Sequence, residues 1–460
     1  MTEFRTERDS MGAIQVPQDA LWGPQTQRAI KHFGTHTQMP KELVHAIARI
    51  KAAAAQANLA LHKIEKNQSQ AIVHAASLAA SGDFDKHFPL SIFISGSGTQ
   101  SNMNVNEVIA ALAAQFGKVH IHPNDHVNCS QSTNCVFPSA IHVASVIELE
   151  SSLLPTLRRA TELLISQAKE WETVYKCART HLMDAVPITF GQEVGGWAAT
   201  FADADESICN AVSELLAIPV GGTAVGTGLN APKGFDEKVC EFLNGETGLN
   251  FRPSRNKFAA QSGHEAMLQT MSALKRLAVA LLRIANDIRM SGSGPRCGLS
   301  ELVLPANEPG SSIMPGKVNP TQCEAIAMRA AQVIGYEVAV TIGCGGGFQQ
   351  MNVYKPLIGN NILDSIRLLD DGLKLFIEHC LVGLCPDRKQ MKSHLEHSLM
   401  LVTALNPKIG YEKAADIAKL AHQDGLTLRQ ATLQLGYLSG EEFDHSMDYT
   451  EMAFPHGRLT

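Results

Sequence analysis

The sequence lacks the features that mark several classes of protein. Its 39 basic and 45 acidic residues leave a net charge of -6 without any block of like charges, which argues against nucleic-acid and acidic-membrane partners. No apolar run follows the polar N-terminus, and runs such as residues 277–282 are far shorter than the roughly 20 residues of a membrane-spanning helix. We therefore expect a cytoplasmic protein that binds small molecules or other proteins, with no nucleic acid and no membrane.

Cysteine is present, but it forms no recognisable motif. The ten cysteines are scattered along the chain, without a C-x-x-C pair or a cluster that has the spacing of metal ligands. This arrangement argues against structural zinc and iron–sulfur clusters. We expect reduced and mostly buried thiols, and neither a metal nor another cofactor.

Helical periodicity dominates the rest of the sequence. Apolar residues recur at spacings of three and four in residues 41–63, 138–177, 190–217, 263–290, 322–342 and 356–382. Several of these segments exceed 20 residues, and the chain of 460 residues is 45% hydrophobic, enough to bury sizeable cores. Together they predict an all-α protein with a central bundle of long helices.

Composition also predicts the domain boundaries. A polar stretch at residues 124–134 precedes the first very long helix, and a Gly-Leu-Cys-Pro sequence at residues 383–386 follows the last one. We predict three domains: an N-terminal domain of residues 1–131, a central helix bundle of residues 132–385 and a small helical C-terminal domain of residues 386–460.

One loop between predicted helices has an unusual composition. Residues 310–320 read GSSIMPGKVNP. A Walker A phosphate loop has four residues between its glycines and Ser or Thr after its lysine; this loop has five and places Val318 there, which excludes that motif. Lys317 and Asn319 can hold a carboxylate, and the glycines let backbone amides approach a negative oxygen. On spacing alone, a small-dianion site and a surface turn are equally good interpretations.

Three further segments carry hydroxyls, amides or histidines. Residues 95–104 precede a helix, where such groups either bind an anion or simply cap the helix. Residues 122–134 contain histidines without the spacing of a zinc site, which favours a turn and cap. Residues 179–185 are expected to end a long helix, and their histidine taken alone is most simply structural.

Several motifs taken together resemble the fumarase/aspartase superfamily. In chain order they are GSGTQSNMN at 96–104, HPND at 122–125 with SQSTN at 130–134, RTHLMDA at 179–185, GGTAVGTGLN at 221–230 and GSSIMPGKVNPTQCE at 310–324. The resemblance extends from about residue 6 to about residue 449. Within the superfamily, GPRCG at residues 294–298 followed by this loop is most similar to class II fumarases.

The resemblance implies a fold and an activity. The fold is a three-domain all-α chain whose long helices form the core of a homotetramer, with each active site shared between subunits. The activity is the reversible hydration of fumarate to (S)-malate in the tricarboxylic acid cycle, without a metal or cofactor. This chemistry needs a base for an unactivated C–H, groups that hold the resulting enediolate, and an acid for the departing water.

The resemblance also implies roles for individual residues. Ser311 is the implied base, its alkoxide favoured by loop amides and by Lys317, while Lys317 and Asn319 hold a carboxylate. His181, oriented by Glu324, handles the water. The other implied substrate ligands, which lie in the N-terminal and central segments, are Ser97, Thr99, Ser132, Thr133, Asn134 and Thr180. A secondary carboxylate site is implied at His122, Asn124 and Asp125.

The sequence departs from the class II pattern at several positions. Cys135 replaces an aspartate, which removes a negative charge, and we expect reduced but retained activity. Thr133 keeps the hydroxyl of the usual serine, and Val119 replaces a basic residue upstream of the secondary site. Further departures, for which we expect local repacking, lie at His126 and at residues 348–350.

Two alternatives to fumarate hydration stay open at this point. Aspartate ammonia-lyase uses the same serine loop but releases ammonia instead of water. A helical scaffold that kept the fold and lost the chemistry is the alternative from another class.

Overall fold

The fold is almost entirely helical, as predicted. The structure is a computed structural model that describes residues 3–117 and 119–457. Its helices are α1 Pro24–Phe33, α2 Lys41–Ala60, α3 Lys66–Ala80, α4 Thr99–Gly117, α5 Thr133–Glu148, α6 Leu154–Glu170, α7 Phe190–Leu215, α8 Phe235–Thr247, α9 Lys257–Ser262, α10 Glu265–Ser291, α11 Thr321–Gly345, α12 Lys355–Phe376, α13 Arg388–His397, α14 Asn406–Ile409, α15 Tyr411–Asp424, α16 Leu428–Leu435, α17 Gly440–Ser446 and α18 Tyr449–Ala453.

The strands of the described chain are short and pair two by two. They are β1 Phe4–Asp9, β2 Gly12–Pro17, β3 Tyr175–Thr180, β4 Met183–Thr189, β5 Ala217–Ile218, β6 Arg252–Pro253, β7 Leu302–Val303, β8 Gly347–Phe348, β9 Met351–Asn352 and β10 Cys385–Pro386. The pairs are β1–β2, β3–β4, β5–β6, β7–β10 and β8–β9, and all are antiparallel except β5–β6. These ribbons therefore shape loops and do not form a sheet core.

The described chain divides into two compact units, each made of three segments. One unit comprises residues 1–155, 204–279 and 329–371, and the other comprises residues 156–203, 280–328 and 372–460. The division into three domains that we drew from composition follows chain order, and it stays a prediction.

In the first unit, α2 is buried along most of its length. Its run of alanines at residues 52–55 is buried, and so are Leu43, Ile47 and Ile50. Small alanine side chains let α3, α5 and α8 pack closely around it. Lys51 is fully buried within this helix, which the functional site below explains.

The start of α1 is held by a buried carboxylate of α4. Glu107 accepts hydrogen bonds from the backbone amides of Gly23, Gln25 and Thr26 at 2.9 to 3.1 Å and from the Thr26 hydroxyl at 2.6 Å. These are the amide donors that a helix leaves without partners in its first turn. Glu107 thus caps α1 from a distant position in the chain.

In the second unit, the β3–β4 hairpin packs against the C-terminal helices. Cys177 of β3 lies in one apolar cluster with Leu405, Ile417, Ala431 and Phe443. The hairpin is also joined to the last helix by a hydrogen bond between the hydroxyls of Tyr175 and Thr450. The C-terminal helices therefore form a base on which this hairpin rests.

One predicted helix is wrong at its C-terminal end. Residues 138–177 were expected to be a single helix, but α5 is followed by a π-helical turn at Leu149–Leu153, and α6 ends at Glu170. Residues 175–189 form the β3–β4 hairpin instead. Their β-branched and aromatic side chains favour strand. The spacing of the apolar residues alone fits a helix as well as a strand, so it did not distinguish the two.

Helix α11 is long and apolar enough to cross a membrane by length and composition alone: its most apolar stretch has a mean hydropathy of 1.3 and is 22% buried. A few polar residues interrupt this stretch, so the sequence shows no unbroken apolar run there. The expectation of a protein without membrane partners stays a prediction.

The cap on α1 gives a first prediction. Replacing Glu107 with Gln should lower the free energy of unfolding by about 1–3 kcal/mol, because the amide presents one acceptor oxygen where the carboxylate presents two. Thermal unfolding of Glu107→Gln measures this change, with Glu42→Gln in the partly buried first turn of α2 as the control. Equal unfolding temperatures for Glu107→Gln and the wild type would show that the cap contributes nothing.

Candidate active site

The loop at residues 310–320 is closed by hydrogen bonds between its own ends. The amide of Gly310 donates to the carbonyl of Lys317 at 2.8 Å, and the side chain of Asn319 donates to the carbonyl of Gly310 at 2.7 Å. A Cβ atom on Gly310 would lie 2.5 Å from the carbonyl oxygen of Lys317, so only glycine fits. The sequence therefore fixes the loop at its base and leaves its tip to present side chains.

Ser311 receives two backbone hydrogen bonds from this loop. The amides of Ile313 and Met314 donate to its Oγ at 3.3 and 3.1 Å. Two amide donors aimed at a hydroxyl oxygen stabilise negative charge on that oxygen. The arrangement suits a serine that acts as an alkoxide.

The other charged groups of this segment are exposed in the single chain. Lys317 and Glu324 are both exposed, and neither has an ion-pair partner within the part of the chain that is described. Glu324 lies in the first turn of α11, directly after the loop. Both groups are thus available to a bound molecule or to another chain.

His181 and Thr180 lie at the tip of the β3–β4 hairpin, not at the end of a helix as expected. Thr180 pairs with Met183, so His181 and Leu182 form a two-residue turn. Both turn residues have positive φ, 56° and 64°, as in the type I′ turns that suit hairpins. His181 is exposed, and no hydrogen bond joins it to Glu324 or Ser311 among the described residues.

A chain of hydroxyls precedes α4 in the first unit. Ser97 Oγ lies 2.9 Å from Ser95 Oγ and 2.8 Å from Thr99 Oγ1. Gly98 between them has φ of 77°, and a Cβ there would lie 2.3 Å from the ring of Phe137. The glycine therefore lets the backbone approach Phe137 closely enough to bring the hydroxyls together.

The predicted ligands at residues 132–134 begin α5 in the same unit. The side chain of Ser132 caps the helix by accepting from the amide of Asn134 at 3.2 Å. The side chain of Asn134 donates to the carbonyl of Ala224 at 2.8 Å, which ties it to the glycine-rich segment 221–230. Thr133 is buried. Ser132, Ala224 and Asn128 line a cavity of about 300 Å³.

Two buried lysines behind these ligands were missed by the sequence analysis. Lys51 donates to the side-chain oxygens of Asn128 at 2.8 Å and Gln131 at 3.0 Å. Lys355 is fully buried, and its Nζ has no hydrogen-bond partner among the described residues. Burial lowers the pKa of Lys51 to about 7 and that of Lys355 to about 8. A lysine directly before a run of four alanines in a helix is the signal that would have found Lys51.

Cys135 lies within electrostatic range of both lysines. It is fully buried, and its Sγ donates to the carbonyl of Ser132 at 3.2 Å. A carboxylate at this position would balance the two buried ammonium groups, whereas a thiol leaves most of their charge uncompensated. The departure at Cys135 thus changes the charge beneath the predicted ligands 132–134.

The proposed secondary site forms a compact turn. His122 Nδ1 lies 3.1 Å from both the amide nitrogen and a carboxylate oxygen of Asp125, and the His122 amide donates to His126 Nδ1 at 2.9 Å. These contacts within the turn occupy His122, and Asn124 lines the cavity of about 300 Å³. Carboxylate binding here stays a prediction. In residues 3–117 and 119–457 no cluster of His, Cys, Asp and Glu has the arrangement of a metal site.

Comparisons with known proteins show the family of the chain. A family model described as Lyase matches residues 12–335, and one described as Fumarase C C-terminus matches residues 401–453. The class II fumarate hydratase of Parasynechococcus marenigrum is 52% identical over 98% of this chain and 99% of its own length. That of Thermosynechococcus vestitus is 53% identical over 96% of each chain. A class II fumarase from Schistosoma mansoni has a TM-score of 0.97 at 41% identity, covering 99% of this chain and 100% of that one.

The helical fold and the serine loop define a lyase. Because the similarity to class II fumarate hydratases extends over nearly the whole length of both chains, this chain belongs to that family within the lyases. The resemblance stated from the motifs and the all-α bundle are therefore confirmed. The roles of the individual site residues stay predictions.

The buried lysines give a prediction for pH dependence. Unfolded lysines have a pKa of about 10.4, so between about 7 and 10.4 the unfolded chain binds more protons than the folded one at Lys51. The contribution of these lysines to the free energy of unfolding therefore rises with pH through that window. Replacing Cys135 with Asp should flatten this rise, because the new carboxylate favours the charged lysines, and should increase activity.

Thermal unfolding at pH 7 and pH 10 measures the effect. Relative to wild type, the free energy of unfolding of Cys135→Asp should be higher by about 1 kcal/mol or more at pH 7 and by less at pH 10. The neutral control Cys135→Ser should follow the wild-type pH dependence. Equal gains for both variants at both pH values, with unchanged kinetics, would show that charge at this position is irrelevant.

Proposed function

We infer that this chain is an enzyme that adds water to fumarate and removes it from (S)-malate. The observation that carries this conclusion is full-length similarity to class II fumarate hydratases, combined with a loop that gives Ser311 two amide donors. Of the alternatives, neither aspartate ammonia-lyase nor an inactive scaffold explains both findings. Fumarate and malate are therefore the proposed small-molecule partners.

In the proposed mechanism, Ser311 removes a proton from C3 of malate. A free serine hydroxyl is far too weak a base for an unactivated C–H bond. The amides of Ile313 and Met314 point at its Oγ and stabilise the alkoxide, and the loop closure at Gly310 keeps them in place before substrate arrives. Proton abstraction leaves an electron pair on C3, which spreads onto the adjacent carboxylate as an enediolate.

The negative charge that develops needs fixed donors and a cation. Lys317 is exposed, has no ion-pair partner among the described residues and belongs to the same loop as Ser311, so it is available for the substrate carboxylate. Asn319 holds the loop closed with one N–H of its side-chain amide, and the second N–H is the donor proposed for the substrate carboxylate. The further proposed carboxylate and hydroxyl ligands are Ser97, Thr99, Ser132, Thr133, Asn134 and Thr180.

His181 is proposed to handle the departing or attacking water, with Glu324 as the group that orients it. Within one chain, both side chains are exposed and do not contact each other. This separation supports a shared site in which the His181 of one subunit meets the Glu324 of another.

The proposed assembly is a homotetramer with helix α11 in its core. An exposed stripe of small and apolar residues runs along α11 at the spacing of a coiled-coil seam: Met328, Ala331, Gly335, Val338 and Ile342. An exposed stripe of this kind on a long helix suits packing against the same helix of another subunit.

We also propose a cytoplasmic location and a role in the tricarboxylic acid cycle. All ten cysteines are free thiols, and two of them, Cys297 and Cys385, are exposed. Exposed free thiols persist in a reducing compartment. Interconversion of fumarate and malate is the reaction that the cycle requires.

One assay separates the two enzymatic candidates. Purified protein should produce ultraviolet-absorbing fumarate from malate and none from aspartate. Fumarate from aspartate alone would establish an ammonia-lyase, and no turnover of either substrate would establish the scaffold.

The role of Ser311 is tested by replacing it with alanine. Ser311→Ala should lower kcat by about 10²- to 10⁴-fold, the range expected when a general base is lost. Ser312→Ala, a change at the next position in the same loop, is the matched control and should have a much smaller effect. Similar kcat values for the two variants would contradict the assignment.

Shared active sites are tested by mixing two variants of strongly reduced activity. When Ser311→Ala and His181→Asn subunits are unfolded together and refolded, about a quarter of the sites should combine an intact serine and an intact histidine from different subunits. Activity should then return to about that fraction of wild type. Complete inactivity of the mixed tetramers would place both residues of a site on one chain.

A further inference from the structure

Glu301 is a fully buried carboxylate that the proposed mechanism does not use. Its Oε1 accepts from Arg179 at 2.8 Å and lies 2.9 Å from Nδ1 of His394. Its Oε2 lies 3.1 Å from Nζ of Lys176, an ion pair without hydrogen-bond alignment. Lys176 in turn donates to Glu193 at 2.6 Å. One carboxylate therefore connects three basic side chains.

The charges of this cluster stabilise one another. Burial works against ionisation of Glu301, but the hydrogen bond from Arg179 and the charge of Lys176 outweigh it, so the pKa of Glu301 lies below its usual value. Burial also disfavours the charged Arg179, yet the bond to Glu301 raises the pKa of Arg179. Removal of the carboxylate would leave the partly buried Arg179 without its ion-pair partner and Lys176 with Glu193 alone.

Two of the three basic residues lie on the strand that leads to His181. Lys176 and Arg179 both belong to β3, and Arg179 directly precedes Thr180. Residues three apart on a regular strand point to opposite faces. The β3–β4 register shifts between Cys177 and Arg179, and such a bulge re-aims side chains. The shift lets both basic groups reach the same carboxylate.

Glu301 is itself fixed by its backbone. Its amide donates to the carbonyl of Ser291 at the end of α10, and its carbonyl accepts from the amide of Asp387 at the start of α13, both at 2.8 Å. His394 belongs to α13 as well. The carboxylate is thus a fixed point, and the hairpin is the element that it holds.

We infer that Glu301 is a positioning residue: its carboxylate, through Lys176 and Arg179, fixes the hairpin tip that presents Thr180 and His181. This inference rests on the proposed role of His181 in water transfer. A hairpin turn of two exposed residues has little packing of its own, so its position depends on the strand behind it. Small displacements of a catalytic group lower reaction rates strongly.

The first test measures the hairpin directly and does not depend on any catalytic role. In Glu301→Gln, hydrogen exchange at residues 180–183 should accelerate about tenfold or more relative to wild type, because the ion pairs that hold β3 are weakened. Glu301→Asp, which keeps the charge, should recover part of the protection. Glu107→Gln is the matched control, since it also neutralises a buried, multiply hydrogen-bonded carboxylate, and it should leave these amides unchanged. Unchanged exchange in Glu301→Gln would overturn the inference.

The second test asks whether Glu301 acts through His181. Glu301→Gln alone should lower kcat about tenfold or more, but in a His181→Asn background it should change kcat less than about twofold, because the group it positions is already absent. A double variant whose kcat falls by the product of the two single-variant effects would overturn the inference. If His181→Asn alone leaves kcat unchanged while the hairpin exchange responds as expected, the proposed role of His181 is wrong. The positioning of the hairpin by Glu301 is then still supported.

A folding defect in Glu301→Gln would not block either test. Lys176→Met removes one ion-pair partner on β3 and leaves the Arg179 pair in place, so it should show the same changes at a smaller size. No change in exchange or kcat for Lys176→Met and Glu301→Asp together would also overturn the inference.

Discussion

The closed loop around Ser311 is the constraint on which the proposed chemistry depends. A serine hydroxyl becomes a base only where its negative charge is held, and here the holding groups are backbone amides whose directions the loop fixes. Their positions depend on the contact between Gly310 and Lys317, which no residue with a Cβ could make at position 310. Asn319 closes the same base. The donors are therefore in place before the substrate arrives.

The chain distributes charge in two different ways. Lys317, Glu324 and His181 are exposed in the single chain, which leaves them available to substrate. Lys51, Lys355 and Glu301, by contrast, are fully buried. The buried lysines lie near the start of α5, which carries the predicted ligands 132–134, and Glu301 holds the strand that leads to His181. Each of these two segments therefore lies against a buried charge within its own unit.

The sequence predicted the long helices and the signature loop because both have strong local patterns. Helices α7, α10 and α11 follow the apolar spacing to within a few residues at each end. The hairpin that carries His181 was missed, because its strands are held by Glu301 and the C-terminal helices, which lie far away in the chain. The pairing of Lys51 with Asn128 was also invisible, since a lysine in a helix is ordinarily expected to face solvent.

Exchange of the C3 proton of malate with solvent deuterium is the most direct test of the central claim that Ser311 takes this proton. In heavy water, wild type and His181→Asn should both exchange one C3 hydrogen of malate, because loss of the water-handling group leaves proton abstraction intact. Ser311→Ala should show no exchange above background. Exchange that persists in Ser311→Ala and disappears in His181→Asn would contradict the account and make His181 the base.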